Sequence, residues 1–229
     1  MKPLPRDLII VGAGGHGREV FGLVQALNAA SDDPEWTIIG FADDAAPEGE
    51  VAARLVRLDA WVVCAIDGIG RVSSDGLSAV VAVGDPAVRR EIVERVVAAG
   101  VTLAPALVHP TASIGPDVRL GNGSVVATGS HLTTNVDLGV GVQVNVGCSL
   151  SHDVVLGDHV TLSPGCRLTG GVSVGAGAFF GKGAVVGPRV TIGAGARVGA
   201  GAVVLHDVDP GVTVHGVPAR PSPGSGTTP

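Results

Sequence analysis

Aromatic residues are scarce in this sequence: Phe, Trp and Tyr make up 3% of the 229 residues, and tyrosine is absent. Large rings normally supply much of the buried area of a globular core. Small branched side chains and the 36 glycines must therefore fill the interior here. The net charge of −6 argues against non-specific electrostatic binding of nucleic acid.

Long apolar runs are also missing, although 45% of the residues are hydrophobic. No run reaches the ~18 residues that a membrane-spanning helix needs, so no membrane insertion is expected. The N-terminal apolar stretch leads straight into a glycine loop and lacks the features of a signal peptide. The three cysteines show no CxxC spacing, which is typical of a reducing compartment. We therefore expect a soluble, cytoplasmic protein.

A strict six-residue repeat runs through the C-terminal half. Every sixth residue from Ile114 to Val204 is large and apolar, and the fourth residue after each is Val, Ala, Ser or Cys. One such unit cannot bury its apolar side chain alone, so three units form a coil and stacked coils form a parallel β-helix. The repeat predicts about five coils. Cys148 and Cys166 fall at equivalent positions one coil apart, and we expect small core residues there rather than a disulfide or a metal pair.

The N-terminal third reads as a small α/β domain. The segment DLIIVGAGGHGREVFGLVQAL predicts a strand, a glycine turn and a helix, and Gly12, Gly14 and Gly17 satisfy the GxGxxG pattern in that context. Such a turn places backbone N–H groups and a helix N-terminus against phosphate. Two more strands are predicted in WTIIGFADD and SAVVAVGD, and a helix capped by Asp85 follows the second. This order favours a Rossmann-like parallel sheet.

The length of this region limits its ligand. About one hundred residues precede the repeat, which is half of a two-lobed dinucleotide fold. A mononucleotide or a nucleotide-sugar is therefore favoured over NAD. The predicted domains are residues 1–108, which bind the nucleotide-sugar, and residues 109–220, which form the β-helix, followed by a flexible tail at 221–229.

Several segments occur together in the order VGAGGHGREV, FADD, VGDPAVRREI, HPTASIGPDV, LSHDVVLGD and GVPARP. With the hexapeptide repeat, they resemble the nucleotide-sugar acyltransferases of surface-glycan pathways, which include UDP-4-amino-sugar and perosamine N-acetyltransferases and sialic-acid O-acetyltransferases. The resemblance implies a left-handed β-helix, a homotrimer with active sites between adjacent prisms, and acetyl-CoA as co-substrate, with no metal. It implies N-acetylation of a UDP- or GDP-linked 4-amino-4,6-dideoxy-sugar.

The same resemblance implies two sets of binding residues. The nucleotide-sugar is held by the loops that follow the first three predicted strands, through Gly14, Gly15, His16, Asp43, Asp44 and Gly84. The CoA groove involves Thr161, Gly170, Lys182 and Ala200. At Ser151 and Thr161 the chain departs from the amino-sugar enzymes, which carry Glu and a second histidine there.

His152 is the candidate general base among the seven histidines. Its position in the repeat places it on the outer wall, in one column with Thr134, Gly170, Pro188 and His206. The family motif assigns the base to this position, and a neutral imidazole suits removal of a proton from an attacking amine or hydroxyl. Asp153 either increases the basicity of that imidazole or is a turn residue that bonds its own backbone.

Three other functions compete with N-acetylation. O-acetylation of a sialic-acid-like sugar needs the same base, and the sequence does not separate the two reactions. A zinc hydratase would need three converging ligands, whereas His131, His152 and His159 occupy different registers of the repeat. A non-catalytic trimer that binds only the nucleotide-sugar would have no use for the His152–Asp153 pair.

Overall fold

The computed structural model describes residues 5–72 and 76–222. The N-terminal domain is a five-stranded parallel sheet of order β3-β2-β1-β4-β5. Its strands are β1 (Arg6–Val11), β2 (Trp36–Ala42), β3 (Val62–Cys64), β4 (Ser78–Val81) and β5 (Thr102–Leu103). Its helices are α1 (Gly15–Ala29), α2 (Gly49–Arg57) and α3 (Pro86–Ala98), with a 3-10 turn at Ile66–Arg71.

Two apolar layers cover this sheet. Helices α1 and α2 pack on one face, and α3 and the 3-10 turn pack on the other. The predicted cap of α3 is confirmed, because the Asp85 side chain accepts hydrogen bonds from the backbone N–H groups of Ala87 and Val88. Helix α2 and strand β3 were not predicted from the sequence.

The rest of the described chain is a parallel β-helix whose three sheets form the faces of a triangular prism. Most of its strands are two residues long. Face 1 contains β6 (Leu107–Val108), β9 (Val125–Val126), β12 (Gln143–Val144), β15 (Thr161–Leu162), β18 (Phe179–Phe180), β21 (Arg197–Val198), β23 (Thr213–Gly216) and the antiparallel β24 (Ala219–Pro221). Face 2 contains β7 (Ser113–Ile114), β10 (His131–Leu132), β13 (Ser149–Leu150), β16 (Arg167–Leu168), β19 (Val185–Val186) and β22 (Val203–Val204). Face 3 contains β8 (Arg119–Leu120), β11 (Asp137–Leu138), β14 (Val155–Leu156), β17 (Ser173–Val174) and β20 (Thr191–Ile192).

The predicted interior of the prism is confirmed. Every sixth residue from Val126 to Val204 is at most 5% exposed, whereas Ile114, in the N-terminal edge strand of face 2, is 39% exposed. Cys148 and Cys166 are fully buried and unbridged, and each thiol donates to a backbone carbonyl oxygen 3.2 Å away. They are therefore small core residues, as the repeat predicts.

The β-helix extends slightly past the expected domain limits. Strand β6 already pairs with β9, so the prism starts before residue 109. At the other end, Pro221 belongs to β24, while residues 223–229 of the predicted tail lie outside the described residues. Within the described ranges, no helix is long and apolar enough to cross a membrane.

Candidate active site

His152 lies on the corner between face 2 and face 3, directly after β13, and its side chain is 64% exposed. Leu150 ends β13 with its side chain fully buried, and His152 lies in the turn that follows, with its side chain on the outer wall. The imidazole Nδ1 lies 2.7 Å from Oδ2 of Asp153. An ionised carboxylate only accepts hydrogen bonds, so Nδ1–H is the donor and Nε2 carries the free lone pair.

Asp153 occupies a left-handed backbone position, with φ of 60°. Asp117, Asn135 and Arg189 are among the residues at equivalent positions on the same corner, and their φ angles lie between 52° and 58°. Asp and Asn tolerate this conformation better than most residues, which explains the residue type at the turn. The carboxylate, however, faces His152. Asp153 is therefore both the turn residue and the partner of the imidazole.

Gly170 lies one coil beyond His152 in the same column, beneath the imidazole. A Cβ atom at Gly170 would come within 2.3 Å of Cε1 and 2.4 Å of Nε2 of that ring. The next residue, Gly171, donates its backbone N–H to the carbonyl oxygen of His152 over 2.9 Å. The structure thus brings His152, Asp153 and Gly170 together.

Lys182 and Ala200 lie on a different corner, between face 1 and face 2. Both are exposed, and each is flanked by glycines, so this corner offers a narrow path with little side-chain bulk. Thr128 and Val146 precede them in the same column. Within one chain, the structure does not bring Lys182 or Ala200 to the corner of His152.

Thr161 is also separated from His152, because it lies on face 1. The N-terminal domain covers this face. The side chain of Thr161 is 1% exposed. The hydroxyl donates to the carbonyl oxygen of Gly84 over 2.8 Å and accepts a hydrogen bond from Nη2 of Arg89 over 2.8 Å. The expected position of Thr161 in the CoA groove therefore differs from the one observed, which is in the seam between the domains.

Arg89 of α3 is the centre of this seam and is fully buried. Its guanidinium donates to backbone oxygens on both sides, among them Val83 at 2.6 Å and Gly141 at 2.8 Å. Burial lowers the pKa of Arg89 to about 10, against the opposing effect of Asp85, so it remains a cation at neutral pH. Sequence reasoning missed Arg89, although the signal was present: it shares the buried stripe of α3 with Val93.

The glycine loop uses its glycines in different ways. Gly12 has φ of 104°, and a Cβ at Gly17 would lie 1.8 Å from the carbonyl oxygen of Gly12. These two residues are therefore needed for the turn and for helix packing. At Gly14 a Cβ would meet nothing within 4 Å, so this position leaves open space for a ligand.

His16, at the start of α1, reaches the β-helix. Its Nε2 lies 2.9 Å from Oε1 of Gln143, a fully buried residue of face 1. Gln143 also donates from Nε2 to the carbonyl oxygen of Val81, so its Oε1 is the acceptor and His16 Nε2–H is the donor. Sequence analysis did not identify Gln143, because its partners are distant along the chain.

The two aspartates after β2 hold the loops around the expected nucleotide site. Asp43 accepts hydrogen bonds from the backbone N–H groups of Ala13 and Ala45. Asp44 accepts from the N–H of Ile66 and pairs with Arg95 at 2.8 Å. The hydrogen bond from Arg95 holds the pKa of Asp44 below its usual value.

A cavity of about 230 Å³ opens between α1 and the corner of face 1 and face 2. Polar groups from both domains line it, including His16, Glu19, His109, Thr128 and Asn145. Thr128 belongs to the same column as Lys182 and Ala200. The N-terminal half of α1 and the expected CoA path therefore meet at one edge of the prism.

Two sequence families match this chain. Residues 7–96 match the PglD N-terminal domain, and residues 171–206 match the bacterial transferase hexapeptide (six repeats). No curated protein sequence matches the chain.

Solved structures match almost the whole chain. The acetyltransferase domain of PglB from Neisseria gonorrhoeae FA1090, in complex with acetyl coenzyme A, is 33% identical, with a TM-score of 0.83 over 95% of this chain and 100% of that one. A mutant of perosamine N-acetyltransferase from Caulobacter crescentus, in complex with CoA and GDP-perosamine, is 34% identical, with a TM-score of 0.83 over 95% and 97%. WeeI from Acinetobacter baumannii AYE is 29% identical, with a TM-score of 0.81 over 95% and 100%. These similarities confirm the predicted fold class, a Rossmann-like domain followed by a left-handed β-helix.

Proposed function

Because this chain belongs to the hexapeptide-repeat nucleotide-sugar acyltransferases and is an acetyl-CoA-dependent enzyme with a sugar acceptor, we propose that it N-acetylates a nucleotide-linked amino sugar. The acceptor is a UDP- or GDP-linked 4-amino-4,6-dideoxy-sugar destined for a surface glycan. The similarity to the perosamine enzyme, whose structure contains GDP-perosamine, supports this class of acceptor. The reaction takes place in the cytoplasm, which agrees with the free Cys64, Cys148 and Cys166.

The proposal depends on one observation: Asp153 engages Nδ1 of His152 and leaves Nε2 free on the outer wall. The acceptor amine attacks the thioester carbonyl carbon, and Nε2 takes the proton that the nitrogen loses as the C–N bond forms. The C–S bond then breaks, and the imidazolium returns the proton to the departing thiolate. Asp153 stabilises the imidazolium between these two steps.

The site requires more than one copy of the chain. His152 is on the corner of faces 2 and 3, whereas Lys182 and Ala200 are on the corner of faces 1 and 2. A groove between two prisms brings these corners together when each copy contributes one of them. A closed ring of three copies repeats the same groove three times, so we propose a homotrimer.

Each part of the groove has its own ligand. Acetyl-CoA lies along the corner of Lys182 and Ala200, with its thioester facing His152 and Gly170 of the adjacent copy. The small side chains along this path leave room for the pantetheine arm, and the Lys182 ammonium offers a charge for a phosphate. The nucleotide-sugar is held by the loops of the N-terminal domain, through Gly14, Gly15, His16, Asp43, Asp44 and Gly84.

The test is release of free thiol from acetyl-CoA in the presence of UDP- and GDP-4-amino-sugars and of sialic acids. We expect turnover with a 4-amino-sugar, and a loss of kcat on the order of a thousandfold in His152→Ala. The trimer and nucleotide-sugar binding should remain intact in that variant. Turnover with sialic acids alone would establish O-acetylation, and full activity of His152→Ala would reject the general base.

A further inference from the structure

Three arginines on neighbouring helices surround a second cavity beside the glycine loop. Arg18 comes from the first turns of α1, and Arg54 and Arg57 come from the C-terminal turn of α2. The cavity has a volume of about 380 Å³, and Gly15 lines it as well. We call Arg18, Arg54 and Arg57 the arginine cradle.

The acidic residues near the cradle neutralise only part of its charge. Glu50 pairs with Arg54 at 2.5 Å. Glu19 lines the cavity, but its carboxylate lies 3.1 Å from Nδ1 of His16. Neither carboxylate pairs with Arg18 or Arg57, so the cavity keeps an excess of positive charge.

The guanidinium groups of Arg18 and Arg57 are both available to bind a ligand. Arg18 donates from Nη1 to the carbonyl oxygen of Ala13 over 3.1 Å, which directs its side chain towards the glycine loop. The side chain of Arg57 makes no hydrogen bond or ion pair with any residue in the described part of the chain, and it is exposed. A planar guanidinium can bind two oxygens of one phosphate.

The position of the cradle indicates which anion it binds. Gly15 lacks a side chain at the N-terminus of α1, where the helix carries a partial positive charge. Glu19 lines both this cavity and the cavity that contains His16, His109 and Asn145, so the two adjoin around the first turns of α1. A phosphate group in the cradle is thus joined by a short path to the edge of the β-helix.

We propose that the arginine cradle binds the diphosphate of the nucleotide-linked acceptor and directs its sugar into the cavity beside His16. This assignment rests on the proposed function. It makes Arg18, Arg54 and Arg57 specificity residues, because they favour a nucleoside diphosphate over a nucleoside monophosphate or a free sugar. Acetyl-CoA does not contact them.

The experiment compares wild type, Arg57→Gln and the double variant Arg54→Gln/Arg57→Gln, with GDP-perosamine as acceptor. We expect the acceptor KM to rise about tenfold in Arg57→Gln and further in the double variant. The kcat and the KM for acetyl-CoA should not change. Arg90→Gln is the matched control, since it removes an exposed arginine from α3 on the other side of the sheet.

Calorimetry with GDP, UDP and the corresponding monophosphates tests phosphate binding by the cradle independently of the proposed enzymatic activity. We expect diphosphates to bind more tightly than monophosphates in wild type, and Arg57→Gln to remove most of that difference. Unchanged diphosphate binding and acceptor KM in both variants would overturn the cradle while the enzyme still acetylates GDP-perosamine. If wild type acetylates no nucleotide amino sugar, the proposed function fails, and the calorimetry alone decides the cradle.

Discussion

The imidazole of His152 lies directly over Gly170, where a Cβ atom would be 2.4 Å from Nε2, the proposed proton acceptor. The backbone of Gly170 does not require glycine, because its φ is outside the left-handed region. Thr134, Pro188 and His206 occupy equivalent positions in the same column and carry side chains. The ring above it is therefore the reason for glycine at this position.

Gly170→Ala is expected to fold normally but to displace the imidazole from its observed position. We predict a fall in kcat of about a hundredfold, since catalysis is sensitive to misplacement of a reacting group by about 1 Å. Gly68→Ala is the control, because its Cβ would meet only the Cβ of Cys64, at 3.4 Å. Steady-state kinetics and thermal unfolding of both variants check the prediction. An unchanged kcat in Gly170→Ala would show that the ring position is not needed.

The variant Asp153→Asn removes the negative charge of Asp153 but keeps a residue that suits the left-handed turn. Asn135 already occupies the equivalent left-handed position, with φ of 54°, so the variant should fold like wild type. Loss of the negative charge removes the stabilisation of the imidazolium, and we predict a decrease in kcat on the order of tenfold to a hundredfold. Kinetics at saturating substrates provide the measurement. A wild-type kcat in this variant would show that Asp153 acts only as a turn residue.

Arg89→Met tests the seam between the two domains. The variant leaves the carbonyl oxygens of Val83 and Gly141 without their buried donor. We expect the free energy of unfolding to fall by about 3 kcal/mol or more, as for other buried charged hydrogen-bond networks. Arg90→Met, whose side chain is 66% exposed, should change it by less than ~0.5 kcal/mol. Urea unfolding measures the free energy of unfolding of the two variants. An equal change in both would contradict this prediction.

His159 makes the stability of the fold depend on pH. Its Nδ1 is buried with no hydrogen-bond partner among the described residues, and burial, then nearby Arg89, lowers the pKa of His159 below 6.5. The unfolded chain binds the proton first as the pH falls below 6.5. The stability that His159 contributes above this pH is therefore lost as the pH falls through the lowered pKa.

The comparison for this effect is His159→Asn. Asn is compatible with the φ of 57° at this position and does not titrate. Between pH 8 and pH 5, the free energy of unfolding of wild type should fall relative to that of His159→Asn. Parallel curves for the two proteins would refute the assignment of the effect to His159.

The spacing of residues was enough to predict most of the architecture. Leu150 and Cys148 lie inside the prism, and His152 outside, because a six-residue unit returns to the same orientation at every step. The strands around the glycine loop followed from their apolar composition. Helix α2 was missed because it is only nine residues long, which is short for a helix to be recognised from its sequence, and it buries a single apolar side chain, that of Leu55.

The candidate site was only partly accessible to the same reasoning. The repeat period alone sets which side chains point outward, and with the family motif it identifies His152. It cannot say what covers an outward side chain: Thr161 is buried and His152 is exposed, although both lie on the outer wall. That difference arises where α3 and the glycine loop meet face 1, through pairs such as His16 and Gln143, which are 127 residues apart. Such contacts depend on how two separately packed units fit together, and no local spacing encodes that fit.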